Sequence, residues 1–195
     1  MRKPTRLALV ALALTLAGAP GAAAQGKGDM AMDDHTTMVG GQAMFRTKDI
    51  VDNAVNSADH TTLIAAVKAA GLVETLKGKG PFTVFAPTNA AFAALPAGTV
   101  ESLLKPENKE QLARVLAYHV VPGRLDTEAL MKAIRKGGGT ATLTTANGES
   151  LWLMMNGDRN VVLKDSKGNV ASISTYDVIQ SNGVIQVVDK VLLPS

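Results

Sequence analysis

Gly137-Gly138-Gly139 divides the chain between two hydrophobic periods, and that change of period constrains the fold more than any other feature. Before it, apolar residues recur at helical spacing. Leu63, Ile64, Val67 and Ala70 form one stripe, and Leu112, Val115 and Leu116 form another. After it come short runs rich in Leu, Val, Ile and Thr, punctuated by Asn147-Gly148, Asn156-Gly157 and Lys167-Gly168, dipeptides suited to tight hairpins. Helices first and hairpin strands afterwards predict an α+β fold of mainly antiparallel strands, with no parallel crossover suggested.

The helical half has readable punctuation. A helix is expected from Thr47-Lys48-Asp49 to about Ser57, and a second over residues 60–70 with Asp59 as cap and Gly71 as stop. Phe82–Ala86 reads as a strand, ended by Pro87, with Thr88 capping a helix that buries Phe92. Pro106 opens the run PENKEQLARVLAYHV, which has acidic residues early and an apolar face. Thr127–Arg135 is a further helix. The strands expected beyond it are Thr140–Thr145, Ser150–Met155, Asn160–Lys164, Asn169–Ser174 and Val184–Val188. No internal repeat is present, so residues 45–195 read as one domain.

The first residues have a different logic. Arg2, Lys3 and Arg6 precede the apolar run Leu7–Ala17, and Ala22-Ala23-Ala24 follows a break at Gly18 and Pro20. This order predicts a signal peptide over residues 1–24, cleaved near Ala24-Gln25, and a secreted or periplasmic protein. The apolar run is well short of the roughly 20 residues of a spanning helix. No later run reaches that length, so the mature chain is expected to have no transmembrane segment. Those three basic residues also account for the whole excess of 20 Lys and Arg over 17 Asp and Glu. A neutral mature chain argues against a nucleic-acid partner, which would need a basic face.

Residues 25–44, rich in Gly, Met and Asp, read as a flexible leader. Met30, Met32, His35 and Met38 within it are weak candidates for a soft metal such as Cu(I), against the plainer reading of a tether with incidental methionines. There are no cysteines, which excludes disulfides, thiol catalysis and Cys-ligated zinc. No G-x-S-x-G, Walker loop or paired zinc histidines occur, so neither catalysis nor a cofactor is expected. The only Trp, Trp152, lies on an expected strand, either turned inward as core or outward as a stacking surface.

Three segments resemble the fasciclin domain family. GPFTVFAPTNAAFAAL (residues 80–95) is similar to its first block, SNGVIQVVDKVLLP (181–194) to its closing block, and AYHVVPG (117–123) to its Tyr-His motif. The resemblance spans roughly residues 45–195 and is closest to single-domain secreted bacterial members. It implies a fasciclin-like fold, with helices of the N-terminal half packed on a β-sandwich or wedge. It also implies a non-enzymatic adhesion or interaction module for a cell-surface or matrix protein or polysaccharide. Some members carry carotenoids, which makes an apolar-ligand carrier the second reading, with a groove expected among residues 44–76.

Candidate binding residues follow from the same resemblance. Tyr118 and His119 are either a buried polar pair or a partner contact. Asp177, Val178 and Ile179 match the position of an integrin-binding tripeptide in some animal members, and only the position is carried over. Tyr176 beside them would add an anchor on a surface connector before Asn182-Gly183, a turn expected to need a positive φ. The alternative is that Val178 and Ile179 are core. Where members commonly carry His in the closing block this chain has Gln186, which removes any pH-sensitive histidine pair with His119.

Overall fold

The structure, a computed structural model, describes residues 35–195. In chain order these form β1 (His35–Val39), β2 (Gln42–Phe45), α1 (Ile50–Ala54), α2 (Thr61–Ala70), α3 (Val73–Lys77), β3 (Phe82–Pro87), α4 (Asn89–Ala93), α5 (Thr99–Leu103), α6 (Lys109–Tyr118), β4 (Val120–Pro122) and α7 (Thr127–Lys136). Then come β5 (Thr140–Thr144), β6 (Ser150–Asn156), β7 (Asn160–Lys164), β8 (Val170–Gln180) and β9 (Gly183–Val188). The architecture is α+β, as the change of period predicts.

A seven-stranded sheet runs in the order β4-β3-β9-β8-β7-β6-β5. From β8 to β5 it is a meander of hairpins. Gly148, Gly157 and Gly168 turn the chain with φ of 87°, 76° and 85°, the region that favours glycine. The sequence reading missed one pairing: β3 and β9 are parallel, with Val84 beside Ile185 and Phe85 beside Gln186. They come from opposite ends of the domain, and α4–α7 and the meander connect them.

Two apolar clusters lie on opposite sides of this inner pair. Val84, Ala86, Ile185 and Val187 face α1–α6, against Leu63, Val67, Leu112 and Leu116. Phe85 and Val188 face the other way, into a cluster with Leu130, Ile134, Leu151, Leu153 and Leu163 under α7. Burial on both faces explains why these strands are nearly continuous apolar runs rather than alternating ones.

Helix caps hold the elements at their angles. The Thr88 hydroxyl accepts from Ala91 N, and the Asp126 carboxylate accepts from Ala129 N at the start of α7. Asp49 caps α1 by accepting from Asp52 N. Asp59 does not cap α2, because it lies in a 3-10 turn over Ala58–His60. The cap comes from another element: Asn89 Oδ1 accepts from Thr62 N, and Asn89 Nδ2 donates to Ala58 O. Gly71 ends α2 in the left-handed region, as expected.

Three further expectations are corrected. Residues 25–44 are expected as a flexible leader, but the described part of it, from His35 onward, forms a hairpin that ends at Phe45. β1 and β2 pair antiparallel, with Val39 and Met44 buried in the helical core. Gly40 makes this hairpin feasible: its φ is 57°, and a Cβ there would press on Ser57 Oγ and the backbone of Ala58 and Asp59. The strand expected to stop at Ser174 continues to Gln180, so no surface connector holds Tyr176. Gly183 is not at a positive φ. It is glycine because a Cβ would collide with the Phe82 carbonyl and Ile50 Cδ1. Its neighbour Asn182 accepts from Ile50 N and donates to the carbonyls of Leu76 and Gly78, tying α1 and α3 to the sheet.

Candidate functional site

Tyr118 and His119 sit where α6 ends and the chain turns into β4. Both are buried, at 0% and 2% exposure. The Tyr118 hydroxyl donates to Ser150 O at 2.8 Å and accepts from Ser166 N at 3.0 Å, and burial pushes its pKa up. His119 Nδ1 lies 2.8 Å from Val115 O, and its Nε2 accepts from Leu192 N at 2.9 Å. A carbonyl at one nitrogen and an N–H at the other assign the proton to Nδ1. Burial pushes the His119 pKa down to about 4, against weaker favourable effects of the Val115 carbonyl and Asp165. The ring therefore ties α6 to the C-terminal segment as a neutral group.

The residues before the closing block are equally committed. Tyr176 packs against the α7 cluster, and its hydroxyl accepts from Val161 N at 2.9 Å. Asp177 adopts φ 55°, rare for a residue with a side chain, at an irregularity of β8 between Thr175 and Val178. Its carboxylate accepts from Thr127 N at 2.7 Å and from Gln186 Nε2 at 2.9 Å, while its N–H donates to Gln186 Oε1. Gln186 also donates to Leu125 O. Gln186 thus pins the irregularity and the start of α7, and its partners do not include His119. Val178 is buried in the helical core, and Ile179 is half-buried. The structure brings Asp177 and Gln186 together and keeps Tyr118 and His119 on separate partners.

Of the weak metal candidates, Met30 and Met32 lie outside the described residues. His35 begins β1, and Met38 is exposed on it at 61%. Among the described residues no cluster of three or more His, Cys, Asp or Glu could hold a metal. The groove expected among residues 44–76 is a narrow apolar space of about 50 Å³, walled by Met44, Leu63, Val67, Leu76, Val84 and Ile185. His60 lines it. Its Nδ1 is 2.9 Å from Ser57 Oγ, and its Nε2 lies near the Ala86 carbonyl without completing a hydrogen bond of normal geometry. Burial lowers the His60 pKa too.

Sequence reasoning missed the outer face of β5–β7. Trp152 is half-buried rather than core. Register places Thr142 on one side of it and Lys164 on the other, while Leu151 and Leu153 point inward at 0% exposure. The β7–β8 turn rises beside this face and closes a groove of about 520 Å³ lined by Thr140, Trp152, Met154, Lys164, Lys167 and Gly168. Asp165 at its base is buried, and its carboxylate accepts from the N–H groups of Lys167, Asn169 and Leu193 and from Asn169 Nδ2.

Residues 58–194 match the family model of the fasciclin domain. The chain belongs to the fasciclin domain family. It is 47% identical to the Synechocystis protein sll1483 over 85% of this chain and 84% of that one. It is 36% identical to pig transforming growth factor-beta-induced protein ig-h3 over 68% of this chain but only 17% of that protein. A FAS1 domain pair from the insect cell adhesion molecule Fasciclin I has the same fold, with a TM-score of 0.65 at 18% identity, covering 75% of this chain and 51% of that one. In this fasciclin domain the family blocks coincide with β3 and α4, the α6–β4 junction, and β9, which together build the two cores.

Proposed function

We propose that this fasciclin domain is an exported, non-catalytic interaction module that holds a cell-surface or matrix component. One observation carries the reading: the polar groups of Tyr118, His119, Tyr176 and Asp177 are engaged in hydrogen bonds within the fold. Acid–base or nucleophilic work needs a group free to meet a substrate, whereas Tyr118 and His119 are buried and Tyr176 and Asp177 each hold a backbone N–H of the fold. Among the described residues no helix is long and apolar enough to cross a membrane. Recognition is left to the outer surface, where a binding module keeps its variable chemistry.

The exported protein, immobilised, should retain surface or matrix material from its native cells at physiological salt. Failure to retain any protein or polysaccharide would remove the reading. Its intact mass should correspond to loss of residues 1–24.

The carrier reading fares worse. A space of about 50 Å³ has room for about one or two waters, whereas small-molecule pockets run to about 300–1,000 Å³. A carotenoid would have to push aside the packed side chains that line it, among them Val39 and Met44 of the β1–β2 hairpin. Visible absorbance in protein purified from its native host would restore that reading.

A further inference from the structure

The groove on the outer face of β5–β7 combines three chemistries that one class of ligand matches. Trp152 offers a half-exposed ring, extended by Met154 on the same face and by Val170, exposed at 40%, beyond Lys164 in the cross-strand row. Thr140, Thr142 and Thr144 line the neighbouring strand with exposed hydroxyls. Lys164 and Lys167 are exposed, and neither ammonium has an ion-pair partner among the described residues. The nearby acids form no ion pair with them: the Asp165 carboxylate is turned to four internal donors, and Glu149 is held by Arg114, Ser166 and Ser195.

We propose that this groove is a docking site for an acidic polysaccharide built of uronic acids. The proposal rests on the interaction-module reading and names its ligand. A sugar ring has a C–H face that lies on an aromatic ring, hydroxyls that exchange hydrogen bonds with threonines, and, in a uronate, one carboxylate for a compact ammonium charge. A flat face with one aromatic and a row of hydroxyls suits this ligand better than a protein, whose docking sites bury clusters of large apolar anchors. The volume of about 520 Å³ fits a short stretch of a chain passing through rather than a single enclosed sugar.

The sole Trp of the chain is in the groove, so its fluorescence reports on this site alone. Tri-galacturonate titrated into the full exported protein should change Trp152 emission saturably, and the response should weaken as salt is raised. Its methyl-esterified, uncharged counterpart should bind at least tenfold more weakly. Lys164→Gln with Lys167→Gln should raise the Kd for tri-galacturonate at least tenfold without moving the melting temperature. Retention of immobilised polygalacturonate should be lost in Trp152→Ala, with melting checked in parallel. Equal affinity for the charged and esterified sugars would overturn the proposal, as would unchanged emission at saturating tri-galacturonate. If the wild type and the double-Gln variant retain native surface material equally, the groove is not the site and the interaction reading survives. If neither retains any, both fall.

Discussion

The inner strand pair β3–β9 and the outer meander β5–β7 belong to one sheet but solve opposite problems. β9 is buried along its whole length, and its one polar side chain there, Gln186, spends every hydrogen bond on Asp177 and Leu125. β6 alternates: Leu151 and Leu153 go to the core, while Trp152 and Met154 line an open groove. The inner pair carries two of the three family blocks, and its side chains are committed to the two cores. The outer meander is held by its hairpin turns, its inward leucines and backbone ties to Tyr118 and Tyr176, so its outward residues are free to be chosen for a partner. In this domain the recognisable sequence is scaffold, and the chemistry open to a ligand lies where no motif points.

The largest effect expected from this comparison is at Phe85. It is fully buried on β3 beneath α7, so Phe85→Ala should cost about 3–5 kcal/mol, much of the stability of a domain this size. Chemical denaturation reads this directly. Wild-type stability in that variant would break the claim that the first family block is core.

A second effect tests the α6 junction through pH. Above about pH 6.5 His119 is neutral whether the chain is folded or not. Below it the unfolded chain takes up a proton that the folded ring, with a pKa of about 4, refuses. Stability should therefore fall as the pH drops from about 6.5 and level off near 4, by about 3 kcal/mol from this residue. The lowered pKa of His60 acts in the same direction. His119→Gln should be less stable at pH 7 and show a flatter slope over this window in urea titrations. An unchanged slope would mean that the ring is not the neutral tie between α6 and Leu192.

How far the sequence could reveal this division depends on the kind of signal. The hairpins were legible because Gly148, Gly157 and Gly168 must supply a positive φ, and Thr88 was legible because a cap is local chemistry. The β3–β9 pairing was not, because a strand buried on both faces is apolar throughout and carries no mark of its neighbour. The β1–β2 hairpin was hidden by Met, Thr and Gln in short strands, so only burial of Val39 and Met44 reveals it. The continuation of β8 depends on Asp177 entering the left-handed region, which the distant Gln186 and Thr127 stabilise. Trp152 was ambiguous because Leu-Trp-Leu-Met is apolar at every position, so period two has no contrast to show.

A third, smaller effect sharpens the contrast within β9. Gln186→Leu keeps the volume roughly but removes both hydrogen bonds between Gln186 and Asp177, leaving the Asp177 N–H without its acceptor and the carboxylate with Thr127 N alone. The cost should be about 1–3 kcal/mol, visible as a drop of several degrees in melting temperature. A neutral result would show that the irregularity of β8 is held by apolar packing alone.

The smallest effect on stability should come from the outer face itself. Lys164 stands directly across from Trp152, exposed and without an ion-pair partner among the described residues, while Val161 and Leu163 of the same strand are fully buried. Nothing in the folded state depends on its charge, so Lys164→Gln should change unfolding free energy by no more than about 0.5 kcal/mol. This near-zero value is what separates the two regions. A residue on the inner pair has a structural partner to lose, whereas a residue kept for binding has none until the ligand arrives. Were Lys164→Gln to cost as much as Gln186→Leu, the lysine would be part of the scaffold, and the outer meander would differ from the inner pair only in its exposure to water.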